Sequence, residues 1–150
     1  MTDSTAPAIV DRDEWLQAHR NHLAKEKEFT KERERMAASR RELPWTEVPA
    51  DYSFQTPSGA VSLADLFDGR SQLIVYHFMF GTDWGEEGCP SCSFWADNYN
   101  GTTAHLAARD TAFAAVSSAT VDQIEKYRQR MGWDFRWVSC DGSTFNVDLG

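Results

Sequence analysis

Leu73-Ile74-Val75-Tyr76-His77-Phe78-Met79-Phe80 is the longest apolar run in the chain, and Cys89-Pro90-Ser91-Cys92 follows it after the loop 81–88. Its length suits a β-strand. Its unbroken apolarity predicts a strand covered on both faces, central in the parallel sheet of an α/β domain. Two thiols three apart, on the first turn of the helix that follows such a strand, approach closely enough to form a disulfide, and the helix end favours a thiolate.

Proline at 90 sharpens this reading. The residue before a proline is pushed towards extended geometry, and proline suits the first helical position, where its missing N–H is not needed. Cys89 is therefore expected at the N-cap, its sulfur accepting from the N–H of Ser91 or Cys92. It is the candidate nucleophile. Cys92, one turn in and expected to be less exposed, is the candidate resolving thiol, closing the Cys89–Cys92 disulfide after a mixed disulfide with substrate. Asp83, Glu86, Glu87 and Asp97 oppose the thiolate, and no Lys or Arg lies between Arg70 and Arg109. Helix end and acidic loop thus compete for the pKa. Trp84 and Trp95 flank the motif and would wall the site against water, or else belong to the core.

A zinc site is the competing chemistry, with Cys89 and Cys92 as two ligands and Cys140, His77 or His105 as the others; the lack of a second close pair counts against it. His77 reads as a hydrogen-bonded core residue and His105 as a helix-surface one. His19 and His22 fall in a charged helix. Cys140, beside Asp141-Gly142, reads as a partly exposed bystander or a third redox thiol. No Gly-rich phosphate loop follows a strand, and no Ser-His-Asp signature is present.

Outward from the motif, Tyr52 and Phe54, the turn Pro57-Ser58-Gly59, and Val61 and Leu63 read as a hairpin over 52–63. Ser62 with Asp65 opens a short helical turn closed by Asp68-Gly69. Downstream come a helix over about 90–99, a helical piece over 105–109 and a strand over 111–117. A capping box at Thr120 and Gln123 then starts a helix with the stripe Val121, Ile124, Tyr127 and Met131, stopped by Gly132. A strand follows over 135–138. Upstream, Asp11 with Glu14 starts a long helix over about 12–41, free of Gly and Pro. It carries opposite charges three apart (Lys25/Glu28, Glu28/Lys31, Lys31/Glu34, Glu32/Arg35) and a thin apolar stripe of Trp15, Leu16, Leu23, Phe29 and Met36. Leu43-Pro44 ends it.

The 150 residues, 41% hydrophobic with six Trp, nine Phe and four Tyr, supply one domain with a core. A net charge of −8 opposes nucleic acid or an anionic membrane as main partner. The longest apolar run is far short of the roughly 20 residues that cross a bilayer. Residues 1–4 show no basic patch leading into an apolar stretch, so the chain is expected to be cytoplasmic. In that reducing compartment its three cysteines form no disulfide scaffold, and a CxxC is redox-active or metal-binding.

These motifs resemble the thioredoxin-like family labelled domain of unknown function 899. The resemblance runs through Arg41-Glu42-Leu43-Pro44-Trp45, Val61 to Arg70, His77-Phe78-Met79-Phe80-Gly81, Gly88-Cys89-Pro90-Ser91-Cys92-Ser93, Trp95-Ala96-Asp97, Ala115-Val116-Ser117, Arg130-Met131-Gly132-Trp133 and Ser143-Thr144-Phe145-Asn146. It implies an α/β, thioredoxin-like fold of the peroxiredoxin-flavoured kind, with the CxxC at the active position. Residues 1–45 would be a charged helical extension and 46–150 the thioredoxin-like domain. Relatives continue through two more strands and a helix, so the domain is expected to lack its C-terminal part and the cis-proline loop. The run 73–80 would then have an unpaired edge that recruits other chains. Thr82 lies seven before Cys89, whereas the Thr of a peroxiredoxin lies close to its peroxidatic cysteine, and this weakens a peroxidase reading.

The function expected is thiol-disulfide oxidoreduction through Cys89 and Cys92, with Pro90, Ser91, Trp84 and Trp95 in support. No bound cofactor is called for; the partners are a thiol or disulfide substrate and a cellular thiol reductant. Homo-oligomerisation through the N-terminal helix or the sheet edge is the further expectation. The alternative is a non-catalytic fragment or interaction module.

Overall fold

A computed structural model describes residues 6–49 and 51–149, so residues 1–4, read above for a leader, lie outside the described residues. The chain divides into two compact units between Glu47 and Val48. The first is built on α1 (Arg12–Arg41). Asp11 caps it by accepting from the Glu14 N–H at 2.9 Å. Two of the four expected ion pairs form, Glu28–Lys31 at 2.8 Å and Glu32–Arg35 at 2.6 Å, both well exposed. None of its residues is buried, and Trp15, Leu23, Phe29 and Met36 are all exposed.

The second unit is an α/β domain. Its elements are β1 (Ser53–Thr56), β2 (Gly59–Ser62), α2 (Leu63–Leu66), β3 (Gln72–His77), α3 (Pro90–Tyr99), α4 (Thr103–Ala107), β4 (Thr111–Ser117), α5 (Val121–Met131), β5 (Trp137–Ser139) and α6 (Phe145–Leu149). The five strands lie in the order β2-β1-β5-β4-β3. β3, β4 and β5 are parallel, with Val75 opposite Ala114 and Val116 opposite Val138. The β1–β2 hairpin joins antiparallel through Gln55 opposite Ser139.

Side chains alternate across a strand, so β4 feeds two cores at once. Phe113 and Ala115 join Phe78, Phe80, Ile124, Tyr127, Trp133 and Trp137 on the face that α3 and α5 cover. Ala114 and Val116 join Tyr52, Phe54, Leu66, Val138 and Phe145 on the other. The capping boxes at Ser62/Asp65 and Thr120/Gln123 both form, and Gly132 ends α5 in the left-handed region at φ 71°.

Several expectations are corrected. The strand over 73–80 stops at His77 and is not the central strand its apolarity suggests; among the described residues it lies at the edge of the sheet, with Ile74 44% exposed, which is the unpaired edge that the family resemblance implies. The strand covered on both faces is β4, where six of seven residues are buried. Beyond His77 the Phe78 N–H still donates to the Val116 carbonyl at 2.9 Å, and serine side chains then carry the chain along: Ser117 Oγ donates to the Phe78 carbonyl at 2.8 Å and Ser118 Oγ to that of Phe80 at 3.4 Å. α4 starts and ends two residues before the expected 105–109, and β5 is displaced from 135–138 to 137–139. Cys140 is 2% exposed, inside the second core, instead of partly exposed. The helix α6 was not expected.

Candidate redox site at the start of helix α3

The backbone of Cys89 is extended (φ −58°, ψ 123°) and Pro90 takes the first helical position, as its fixed φ favours. The Cys92 N–H donates to Cys89 Sγ at 3.4 Å, so a thiol fills the place of a capping oxygen. The Cys89 N–H donates to the Met79 carbonyl at 3.1 Å, tying the motif to the segment that leaves β3. Gly88 makes this approach feasible: a Cβ there would lie 2.5 Å from Phe78 Cε1. The Phe78 ring is itself hemmed in by Tyr127, Trp133 and Trp137 and cannot retreat.

Hydroxyls on β3, α3 and α5 fix the first turn. Tyr76 on β3 donates to the Cys92 carbonyl at 3.1 Å. Ser93 Oγ donates to the Cys89 carbonyl at 2.9 Å and shares a buried hydrogen bond of 2.8 Å with the Tyr127 hydroxyl on α5. The loop before Cys89 is held by Gln123, whose Nε2 donates to the carbonyls of Thr82 at 3.3 Å and Gly85 at 2.7 Å.

The two thiols are driven in opposite directions. The Cys92 backbone N–H holds the Cys89 thiol below its ordinary value, against the effect of burial, with further help from the Cys92 thiol and the Ser91 N–H. Burial pushes the Cys92 thiol up, although the Met79 N–H offsets part of that. The competition with the acidic residues goes to the helix end. Asp83, Glu86, Glu87 and Asp97 are all exposed and none contributes to the Cys89 shift.

The expected contrast in exposure is absent: Cys89 is 7% and Cys92 8% exposed, because both belong to the aromatic core on this face of the sheet. Pro90 and Ser91 face solvent. Trp84 and Trp95 do not wall the pair, being 46% and 55% exposed. Trp95 packs edge-on against Phe94. Trp84 lines a concavity of about 390 Å³ with His77, Met79, Phe80, Ser118 and Asn146.

Cys140 belongs to the opposite core, and burial pushes its thiol up, so it joins neither the pair nor a metal site. Among the described residues no three His, Cys, Asp or Glu side chains converge as metal ligands. His77 is hydrogen-bonded but half-buried instead of in the core: its Nδ1 is 3.0 Å from Asn146 Oδ1 and its ring stacks on Phe145. His105 is exposed. Sequence reasoning missed Tyr76, Ser93 and Gln123. For Gln123 a signal existed: a capping box uses only its carbonyl oxygen and leaves the amide donor free for another element. No helix among the described residues is long and apolar enough to cross a membrane.

With this geometry in view, the sequence matches, over residues 4–150, the family described as bacterial protein of unknown function (DUF899). No curated protein matches it. Among solved structures it is similar to a cysteine-to-serine mutant of PrxQ from Xylella fastidiosa, at 14% identity and a TM-score of 0.52, over 69% of this chain and 60% of that one. The chain thus spans less than two thirds of that peroxiredoxin. The likeness establishes a thioredoxin-like fold.

Proposed function

This chain belongs to DUF899, a family of bacterial proteins of unknown function, and we propose that it is a thiol-disulfide oxidoreductase with Cys89 as nucleophile and Cys92 as resolving thiol. One observation carries the proposal: the Cys92 N–H donates to Cys89 Sγ at the start of α3, lowering one thiol while burial raises the other. A thiolate at Cys89 attacks one sulfur of a substrate disulfide, forming a mixed disulfide and releasing the other half as a thiolate. Cys92 then loses its proton to solvent and attacks Cys89 Sγ. The Cys89–Cys92 disulfide forms, and the second half of the substrate leaves as a thiolate. The substrate gains two electrons, the protein dithiol loses two, and a cellular thiol reductant restores the dithiol. A raised pKa suits Cys92, which must stay protonated until the mixed disulfide has formed.

With a small aromatic disulfide as substrate and dithiothreitol as reductant, the intact protein turns over. Cys89→Ser abolishes turnover above the uncatalysed rate, and Cys92→Ser exposed to the disulfide without dithiothreitol accumulates a mixed disulfide on Cys89 visible by mass spectrometry. A Cys89→Ser variant as active as the unmodified protein would refute the assignment. A second reading, an interaction module, is favoured by the edge of β3, open among the described residues, and by the exposed side chains of α1. Unchanged partner binding by the Cys89→Ser variant, with no turnover in the parent, would support it.

A further inference from the structure

The structure assigns Gln123 the role of a positioning residue: its two donor bonds to Thr82 and Gly85 hold loop 82–87 so that the carboxylates of Asp83, Glu86 and Glu87 stay in solvent, clear of the Cys89 sulfur. This inference rests on the reading of Cys89 as nucleophile. Gln123 is unusual in serving two elements with the two ends of one amide. Its Oε1 accepts from the Thr120 N–H at 3.0 Å and from Thr120 Oγ1 at 2.9 Å, closing the cap of α5. Its Nε2 reaches across 41 and 38 residues of sequence to the two loop carbonyls. The loop is otherwise lightly held. Residues 82–87 are all exposed, and among the described residues one ion pair, Arg130 to Glu87 at 3.3 Å, joins its side chains to α5.

The loop runs directly into Gly88 and Cys89, so its anchoring decides where three negative charges sit relative to the nucleophile. The groups that face the Cys89 turn and its loop are Cys92 on the same helix, Tyr76 on β3, Tyr127, Lys126 and Arg130 on α5, and the three loop carboxylates. Asp97, further along α3, is engaged by Trp133 Nε1 at 2.8 Å. Loss of the Gln123 clamp frees the loop, and carboxylates that approach the sulfur disfavour its thiolate.

The test is the pH profile of Cys89 alkylation by iodoacetamide in the reduced full-length protein, with Cys89 and Cys92 resolved by fragment mass spectrometry. In Gln123→Ala the midpoint rises by roughly one pH unit, and the rate measured at pH values below both midpoints falls by up to about tenfold. Thr120→Ala weakens the cap of α5 but leaves the clamp, and its midpoint stays at the unmodified value. Asp83→Asn, Glu86→Gln and Glu87→Gln together, in the Gln123→Ala background, return the midpoint towards the unmodified protein, and raised salt narrows the difference. Gln123→Met, which keeps the length of the stem, repeats the measurement where the alanine variant does not fold. A Gln123→Ala profile superimposable on the unmodified one, or a Thr120→Ala shift of equal size, overturns the positioning role alone. A Cys89 midpoint at or above that of a free thiol in the unmodified protein overturns the nucleophile assignment and this role with it.

Discussion

At the scale of single residues the site rests on a neighbouring pair with opposite requirements. Gly88 must have no side chain, because a Cβ would enter the space of the Phe78 ring, and Cys89 must have one, because its sulfur is the cap. Gly88→Ala therefore forces Phe78 or the loop to move within a close-packed aromatic cluster. A cost of roughly 1–3 kcal/mol is expected, the range for overpacking a core, read as a lowered Tm in thermal unfolding. Cys89 should also lose alkylation rate in this variant, since its N–H bond to Met79 depends on the same approach. An alanine variant with unchanged Tm would mean that the glycine is incidental.

At the scale of elements, the first turn of α3 is tied to α5 by the buried Ser93–Tyr127 hydrogen bond, while its far end is held by Trp133 on Asp97 and by Asn100 on the Gly132 carbonyl. Tyr127→Phe removes one partner and keeps the ring packing; about 1 kcal/mol of stability should be lost in denaturant titration, with m unchanged. A variant of unaltered midpoint would show that the link adds nothing net. Which elements could be read from sequence follows from where their determinants lie. The N-caps at Asp11, Ser62, Cys89 and Thr120 and the left-handed stop at Gly132 are local, decided within four residues, and all stand as expected. The place of β3 is not local. The apolar run 73–80 looks central because one side feeds the aromatic core and the other the Phe145 core, yet sheet order is set by pairings far apart in sequence. The helix α6 went unread for the same reason: Asp148 is fixed by the Tyr52 hydroxyl, 96 residues away, as well as by Thr144. The geometry of the cysteine pair was legible through Pro90, whereas Tyr76 acts across the fold and leaves little local trace, and Gln123 shows only in the amide donor that its capping box leaves free.

At the scale of the whole molecule, β3 offers an edge with no partner among the described residues, and Gln72-Leu73-Ile74-Val75-Tyr76-His77 contains neither charge nor proline to protect it. Self-association through this edge is expected, opposed by the net charge of −8 and therefore strengthened by salt. Light scattering after size-exclusion chromatography should show a mass that grows with protein concentration, and Ile74→Lys should return it to the monomer; a monomer at every concentration and salt would remove the edge as an interface. The central claim concerns the two thiols. Equilibration of the purified protein in glutathione buffers of stepped potential, read by intact and peptide mass spectrometry, tests it most directly. The account predicts a reversible two-electron transition of the Cys89–Cys92 pair between about −120 and −270 mV, within a single chain. Thiols that never pair, or that pair only between chains, would contradict it.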